Sequence, residues 1–462
     1  MKKKKILFII SDDLFVRNYI DTGVYKFLEK RFSVSLIADE KIASKEKVKN
    51  IRSFKGFYKI TEEERKAIAN VTNQQIWKKL DKSSTIRLKK KNLLQFNKFY
   101  EDKIYNKNFN ILLFFKKVLV FIKDYLNFFY DTNKIFFYLR NFKENKIKIN
   151  YALKKFIEKT EPKVILLPSS YQDPTTYNLI KISNKKKFNS VLLIDNWDNL
   201  SSKSGIFNND LYYAVWGEQN KNFAKKIHNI KKERIFLVGT PRYDKYFLLR
   251  NKKIKKHFDF KYILFSASSL RYTYETDILK ILDSILENNK KFFNIKIIYR
   301  SHPWRPFTKV VDDSLYKNII LDPQINKEHK KKLFNTNFQP NLNYYPSLIK
   351  NAEFVISGPT SMVIECAIFY KKILLLNFDD KNSNLTPRKV CEQFEHFKNI
   401  DKIKIIKKNN YLHNLEKDME YLLEKKIEKK ILQQTDLERR YFLFNDKFSY
   451  NQRLEKIINN IQ

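Results

Sequence analysis

The chain has 462 residues, 43% of them hydrophobic and 31% charged, so we expect a soluble globular protein of two or three domains rather than a disordered or fibrous one. Its formal net charge is +42, from 92 Lys and Arg against 50 Asp and Glu. Because no zinc-finger spacing, RNP-like strand or basic zipper accompanies the dispersed lysines, a compositional bias of the whole sequence together with an anionic membrane surface explains the charge better than nucleic acid. We therefore expect no nucleic-acid partner.

The first half of the chain alternates between predicted strands and helices. The apolar run Ile6–Ile10 predicts a buried strand rather than a signal peptide, because the run is short and stops at polar residues. A helix over 19–30 and a strand over 34–38 follow. The pattern then resumes with strands at 164–167, 191–194, 212–216 and 234–238 and helices at 175–184 and 219–228. This alternation predicts a parallel sheet with crossover helices.

The segment from about 52 to 150 interrupts the alternation and is basic and aromatic. Its most apolar part is Phe109–Lys123, in which lysines interrupt the apolar residues. No stretch reaches the roughly 18 uninterrupted apolar residues of a membrane span. Two interpretations stay open, a helix in a membrane interface whose lysines reach anionic head groups and a helical pair inserted into the first domain.

The second half starts the alternation again. It predicts strands at 262–265, 295–299, 318–321, 354–356 and 373–378 and helices at 276–288, 345–351 and 361–369. We therefore expect two facing Rossmann-like parallel-sheet domains, at 1–240 with the insertion and at 241–411, followed by a helical strap at 412–462. Ligands of such sheets bind at the carboxyl ends of the strands.

The strongest motif is the stretch Ser357–Glu365, where a strand ends in a small-residue turn that opens into a helix. Backbone N–H groups and the helix dipole favour a phosphate there, and the hydroxyls of Thr360 and Ser361 add donors. Glu365 lies one helical turn beyond Ser361, where it can accept hydrogen bonds from a ribose. A Ser/Thr helix cap without a ligand is the alternative.

A second motif follows the strand at 295–299, where Arg300, His302 and Arg305 place two cations and an imidazole at a strand end. Arg offers paired donors to phosphate and His can donate to a phosphate oxygen, while Pro303 stiffens the loop. The alternative is a surface histidine without a ligand. We expect this loop and the Thr360–Ser361 turn to converge on one diphosphate.

Polar strand ends in the first half provide the opposite wall of the predicted site. Transfer to a hydroxyl needs a carboxylate or His that takes the proton, and Asp13 and Asp198 are the candidates. Asn196 and Trp197 are the candidate acceptor contacts, Trp197 as a stacking face for a sugar ring. An Asp in a turn can equally cap the backbone.

Together these motifs resemble the GT-B glycosyltransferases, and more narrowly the bacterial surface-carbohydrate proteins related to capsule Kdo transferases, His-Pro-motif sialyltransferases and CDP-glycerol glycerophosphotransferases. The resemblance covers most of the chain except 52–150, and the stretch from Asp195 to Asp244 carries it most closely. It implies that His302 and Pro303 hold the donor phosphate, that Ser357, Thr360 and Ser361 assist, and that Glu365 binds the ribose. The chain departs from the family at Tyr370, where relatives have a Gly-Lys-Pro turn.

The resemblance implies inverting, metal-independent transfer of a sugar from a nucleotide-activated donor, with CMP- or CDP-linked sugars slightly favoured, to a surface-polysaccharide or lipopolysaccharide acceptor. No cofactor and no metal are expected, and no Asp-x-Asp motif is present. Alternative functions are a CDP-glycerol glycerophosphotransferase, a sugar-nucleotide 2-epimerase and a non-catalytic membrane-associated scaffold. The cysteines Cys366 and Cys391 are too few for a disulfide framework, so we expect free thiols in the cytoplasm, with the protein at the inner face of the cell membrane.

Overall fold

A computed structural model describes residues 3–79, 82–94, 111–133, 136, 139, 142, 146–169, 173–183, 188–203, 205, 207–268, 275–302, 311–325, 341–379 and 385–461. The chain forms two compact units. The first unit comprises Met1–Pro241 and Phe444–Gln462, and the second comprises Arg242–Leu443. The segment 412–462 is therefore divided between the two units.

The first unit is built on a sheet whose described strands all run parallel. The strands are β1 (Lys5–Ile10), β2 (Ser33–Asp39), β3 (Phe54–Tyr58), β4 (Val164–Ser169), β5 (Asn189–Ile194), β6 (Tyr212–Val215) and β7 (Ile235–Leu237). Their order across the sheet is β3-β2-β1-β4-β5-β6-β7. The direction of strand succession reverses between β1 and β4, as it does between the two halves of a Rossmann sheet.

Helices connect these strands on both faces of the sheet. They are α1 (Asp13–Phe15), α2 (Val24–Arg31), α3 (Glu40–Ala43), α4 (Glu46–Lys49), α5 (Glu62–Trp77), α6 (Ser84–Leu94), α7 (Ile111–Thr132), α8 (Tyr151–Thr160), α9 (Pro174–Ser183), α10 (Asn199–Ser202) and α11 (Glu218–His228). The strand β1 shows why both faces are covered, because Phe8 belongs to the core on one face and Leu7 to the core on the other. Successive side chains of a strand point to opposite faces, so a run of apolar residues fills two cores.

The second unit has a parallel sheet of the same design. Its strands are β8 (Lys261–Ser266), β9 (Ile295–Arg300), β10 (Ile319–Leu321), β11 (Val355–Ser357), β12 (Ile373–Leu376) and β13 (Ile406–Asn409), in the order β10-β9-β8-β11-β12-β13. Its helices are α12 (Pro241–Arg250), α13 (Glu275–Asn288), α14 (Tyr344–Asn351), α15 (Met362–Phe369), α16 (Pro387–Gln393), α17 (Leu415–Glu424) and α18 (Lys429–Phe442). Here the succession reverses between β8 and β11.

The last helix, α19 (Tyr450–Asn460), returns to the first unit. Tyr450 and Leu454 belong to the same core as β1 and β2. The Arg453 Nε atom donates to the Val238 carbonyl oxygen at 2.9 Å, and the Lys4 Nζ atom donates to the Ile458 carbonyl oxygen at 2.7 Å. The carboxyl terminus of the described chain thus completes one face of the first sheet.

The fold class predicted from the sequence is confirmed, and three local expectations need correction. The strand β3 lies inside the segment assigned to the insertion, so the interruption starts after Tyr58. The strand β13 was not predicted. The helix predicted over 19–30 is broken at Gly23, whose φ of 82° separates the π-helical segment Val16–Asp21 from α2. None of the helices in the described ranges is both long enough and apolar enough to cross a membrane.

Candidate functional site

The reversal point of the second sheet lies between β8 and β11, and the polar turn after β11 begins there. Ser357 is paired with Ser266 on β8, and Ser266 is paired with Arg300 on β9, so the three strands end level with one another. Ligands of open α/β sheets bind outside the carboxyl ends of the strands at such a point. The loops that follow these three strands are therefore the part of the second unit best placed for a ligand.

The turn after β11 is held by its own hydroxyl groups. The backbone N–H of Met362 donates to the Thr360 Oγ1 atom at 3.2 Å, which caps the start of α15. The Ser357 Oγ atom lies 3.2 Å from the same Thr360 atom and donates to the Gly358 carbonyl oxygen at 3.0 Å. Ser357 is fully buried, whereas Thr360 and Ser361 are half-buried and reach the edge of the sheet. The positive end of the α15 dipole is thus fixed at this edge.

Glu365 lies inside the second unit, where two tyrosines and Ser361 donate to its carboxylate. Its Oε1 atom accepts from the Tyr243 hydroxyl at 3.0 Å and from the Ser361 hydroxyl at 3.3 Å, and its Oε2 atom accepts from the Tyr246 hydroxyl at 3.1 Å. Burial, together with the Glu365 charge, raises the pKa of both tyrosines. Glu365 is 5% exposed, and its hydrogen bonds connect α15 to α12. Its contact with a ribose stays a prediction.

Arg300 is engaged within the second unit, and its contact with a donor phosphate stays a prediction. It is 3% exposed, its Nη1 atom donates to the Asp322 Oδ2 atom at 2.6 Å, and its guanidinium lies 4.1 Å from the centre of the Tyr345 ring. Burial alone would lower its pKa, but Tyr345 and Asp322 raise the pKa overall. Asp322 also accepts from the Tyr344 hydroxyl at 2.8 Å. Arg300 therefore positions the strand end, because its charge is neutralised inside the fold.

His302 follows β9 by two residues and is half-buried. The neighbouring loop after β8 is anchored by Glu275, whose Oε1 atom accepts from the Ser268 backbone N–H at 3.3 Å and whose Oε2 atom accepts from the Tyr299 hydroxyl at 2.7 Å. Since β8 separates β9 from β11, the ends of β9 and β11 lie about 10 Å apart. Of the other residues predicted for this loop, Pro303 and Arg305 lie outside the described residues.

Acidic side chains gather at the corresponding reversal point of the first sheet, between β1 and β4. The Ser11 hydroxyl donates to the Asp173 Oδ2 atom at 2.6 Å, which joins the loops that follow the two strands. Asp13 is 8% exposed and pairs with Lys45, while Asp12 caps α1 by accepting from the Leu14 backbone N–H at 2.8 Å. Sequence reasoning named Asp13 but not Asp173 as a catalytic candidate.

Burial raises the pKa of Asp173, against the hydrogen bonds from Ser11 and Thr175 that lower it. Burial also raises the pKa of Asp12, and the nearby charge of Asp13 adds to this. A carboxyl group whose pKa is raised toward neutrality is better suited to exchange a proton with a substrate hydroxyl. The sequence signal for Asp173 was the polar stretch 169–173 after the predicted strand at 164–167, one of the polar strand ends expected to form the opposite wall of the site.

The other predicted residues of the first unit lie after β5 and form hydrogen bonds and an ion pair within that unit. Trp197 is 3% exposed, and its carbonyl oxygen accepts from the Asn220 side chain at 2.6 Å. Asn196 is half-buried, and its Oδ1 atom accepts from the Trp197 backbone N–H at 2.9 Å. Asp198 lies 3.4 Å from the Lys203 ammonium and accepts from the Ser202 hydroxyl at 3.2 Å. The stacking of Trp197 on a sugar ring stays a prediction.

Within the ranges that the structure describes, no group of three or more His, Cys, Asp and Glu side chains could hold a metal ion.

Two solved structures are similar to this chain over its full length. The glycotransferase of kitacinnamycin has a TM-score of 0.51 and 8% identity, with all of both chains covered. A protein described as a UDP-N-acetylglucosamine 2-epimerase from Listeria monocytogenes has a TM-score of 0.50 and 11% identity, with 100% of this chain and 97% of that chain covered. No protein-family model matches the chain, and no curated protein does. These likenesses, with the two parallel sheets, define the fold as GT-B.

Proposed function

We propose that this chain is a glycosyltransferase that uses a nucleotide-activated sugar, inverts the anomeric centre and needs no metal ion. The observation that carries the proposal is the reversal point of the second sheet. There the Thr360–Ser361 helix start and His302 follow strands on either side of β8. Two strand spacings, about 10 Å, leave room for the phosphate group of a nucleotide-activated sugar across the end of β8.

In the proposed reaction an acceptor hydroxyl oxygen attacks the anomeric carbon as the bond from that carbon to the donor phosphate oxygen breaks. The electron pair leaves with the phosphate, where the positive end of the α15 dipole, the Thr360 and Ser361 hydroxyls and His302 stabilise the developing charge. The acceptor proton passes to a carboxylate of the first unit. Asp13 and Asp198 are the sequence candidates, and the raised pKa of Asp173 adds that residue to them.

The donor base and acceptor follow from the resemblance of the sequence motifs. A CMP- or CDP-linked sugar is the favoured donor, and a surface polysaccharide or lipopolysaccharide is the favoured acceptor. With such an acceptor we expect the enzyme in the cytoplasm at the inner face of the membrane, where such glycans are assembled.

The primary experiment is calorimetric titration of the purified full chain with CMP, CDP, UDP and GDP. Wild type is compared with His302→Ala and with the matched control His413→Ala, since His413 is an exposed histidine of the same unit. We expect one nucleotide to bind, His302→Ala to weaken it about tenfold or more, and His413→Ala to bind like wild type. Equal nucleotide affinity of wild type and both variants would show that His302 does not contact the nucleotide. No binding to any nucleotide would favour the alternative of a non-catalytic scaffold.

A sugar-nucleotide 2-epimerase is the second candidate, since the fold is shared over its full length with a protein so described. The two functions differ in their need for an acceptor. Incubating the protein with UDP-N-acetylglucosamine alone and following the C2 proton by NMR separates them. Inversion or solvent exchange at C2 without an acceptor would establish the epimerase, whereas release of a nucleotide only when an acceptor glycan is added would establish the transferase.

A further inference from the structure

The helix α7 carries a row of large apolar side chains that face solvent. Seven residues form this apolar face, and their exposed fractions run from 45% at Ile122 to 65% at Leu119. They are Ile111, Phe115, Leu119, Ile122, Tyr125, Leu126 and Phe129. Their spacing of three and four residues places them on one side of the helix. From Ile111 to Phe129 the face is about 27 Å long.

A helix on the surface of a soluble protein normally turns its apolar side inward. In α7 the side that is partly buried holds Phe114, Val118 and Phe121, and the helix contacts α5 of the same unit. Because Val118 lies three residues from Phe115 and four from Ile122, the apolar face borders these partly buried residues and extends beyond them toward solvent. Exposed apolar patches of this extent mark a binding surface for a protein, a ligand or a membrane.

Charge distinguishes between these partners. The insertion 52–150 contains 23 Lys and Arg against 9 Asp and Glu, a net charge of +14, and the whole chain carries +42. Lys123 is exposed at the border of the apolar face. A second copy of the chain would bring the same positive charge to the interface, whereas an anionic lipid surface attracts it at about 1 kcal/mol for each Lys or Arg near the surface.

We propose that α7 lies in the plane of an anionic membrane, with its apolar face inserted at the boundary between head groups and acyl chains. Its 22 residues and its charge pattern fit an interfacial helix, in which lysines at the border of the apolar side contact lipid phosphates. This surface belongs to the inserted segment and not to the nucleotide site. The membrane proposal can therefore be tested independently of the proposed reaction.

Flotation of the full-length protein with phosphatidylcholine vesicles, with and without phosphatidylglycerol, tests the proposal. The test variant combines Phe115→Ser, Leu119→Ser and Leu126→Ser. The matched control combines Phe293→Ser, Leu315→Ser and Leu437→Ser, which replaces the same residue types at sites that are 65% to 76% exposed elsewhere in the chain. We expect wild type and control to float with the anionic vesicles and the test variant to bind about a hundredfold more weakly.

Added salt is expected to weaken the binding of wild type, because it screens the lysines from the lipid phosphates. Undiminished flotation of the test variant, or no flotation of wild type with anionic vesicles, would overturn the proposal. Sedimentation without lipid gives a further test. A wild-type dimer that the three α7 substitutions convert to a monomer would show that the apolar face joins two copies instead. Nucleotide titration of the same variant separates this outcome from failure of the proposed reaction.

Discussion

Replacing Glu365 by Ala is the most informative test of how the second unit holds its candidate site. The substitution removes the acceptor of the Tyr243, Tyr246 and Ser361 hydroxyls. A hydrogen bond to a charged group contributes about 1.5 to 3 kcal/mol, and two of these three donors are phenols of buried tyrosines. We therefore expect Glu365→Ala to lower the free energy of unfolding of the second unit by about 3 to 5 kcal/mol.

Because a protein of two units need not unfold in one step, scanning calorimetry is combined with hydrogen exchange of peptides that cover α15. Tyr243→Phe removes one donor and is expected to cost about 1 to 2 kcal/mol. The double variant with Glu365→Ala should then lose less than the sum of the two single losses. A loss below about 1 kcal/mol for Glu365→Ala, with unchanged exchange in α15, would refute the structural role of the carboxylate.

The same variants test the ribose contact. Tyr243→Phe frees an acceptor position on the Glu365 carboxylate, so a direct ribose contact predicts nucleotide affinity that is unchanged or higher. Glu365→Gln removes the charge and predicts lower affinity if that contact exists. Equal affinity of Glu365→Gln and wild type would limit Glu365 to holding the start of α15.

Three further predictions concern buried polar groups. Asp322→Ala leaves the Arg300 charge buried without its partner, so urea unfolding should show a loss of about 3 to 5 kcal/mol. Burial lowers the pKa of Lys79 to about 7. Above pH 7 and below the ordinary pKa of lysine, Lys79 is therefore protonated in the unfolded chain but largely neutral in the folded protein. The contribution of Lys79 to stability should thus rise with pH from 7 to 9 and vanish in Lys79→Met. Burial also raises the pKa of the Cys366 and Cys391 thiols, so a disulfide reagent at pH 8 should label them only after denaturation.

The first two of these predictions have a control variant, and the third has an outcome that would contradict it. Glu287→Ala breaks an exposed ion pair with Lys317 and should cost below about 1 kcal/mol, so an equal loss in Asp322→Ala would contradict the argument from burial. Replacing the exposed Lys55 by Met should leave the rise of stability between pH 7 and 9 unchanged. If Lys79→Met shows the same rise as wild type, the rise comes from a titratable group other than Lys79. Rapid labelling of native protein would show that the thiols are accessible.

The central strands could be predicted from the sequence because both of their faces are buried. Ile6–Ile10 and Ile373–Leu376 are almost unbroken apolar runs, and all of these residues are at most 1% exposed. The two strands that were missed, β3 and β13, lie at the outer edges of their sheets. Each contains lysine, and each is only partly buried. Edge strands often carry charge, which prevents pairing with other chains and also hides the strand pattern.

The turn at Tyr370 shows a different limit of prediction from the sequence. Tyr370 adopts the left-handed conformation that favours glycine, with a φ of 54°. The Arg250 Nη1 atom donates to the Tyr370 hydroxyl at 2.9 Å, and the hydroxyl donates to Asp436. These partners lie 120 and 66 residues away in the sequence. The local sequence thus signals an unusual turn, whereas only the fold shows the contacts that hold it.

The same reasoning applies to the candidate site, where the sequence located the strand ends but could not assign the side chains to roles. Arg300 and Glu365 are the residue types that bind phosphate and ribose, yet each is paired with partners from distant parts of its own unit. A binding group must be both held in place and partly accessible, and among the described candidates Thr360, Ser361 and His302 are half-buried. Residues that are paired within the unit, such as Arg300 and Glu365, build the edge of the sheet. We expect the partly accessible residues to contact the ligand. Substitutions of Arg300 and Glu365 should therefore change stability first, and substitutions of His302 should lower nucleotide affinity.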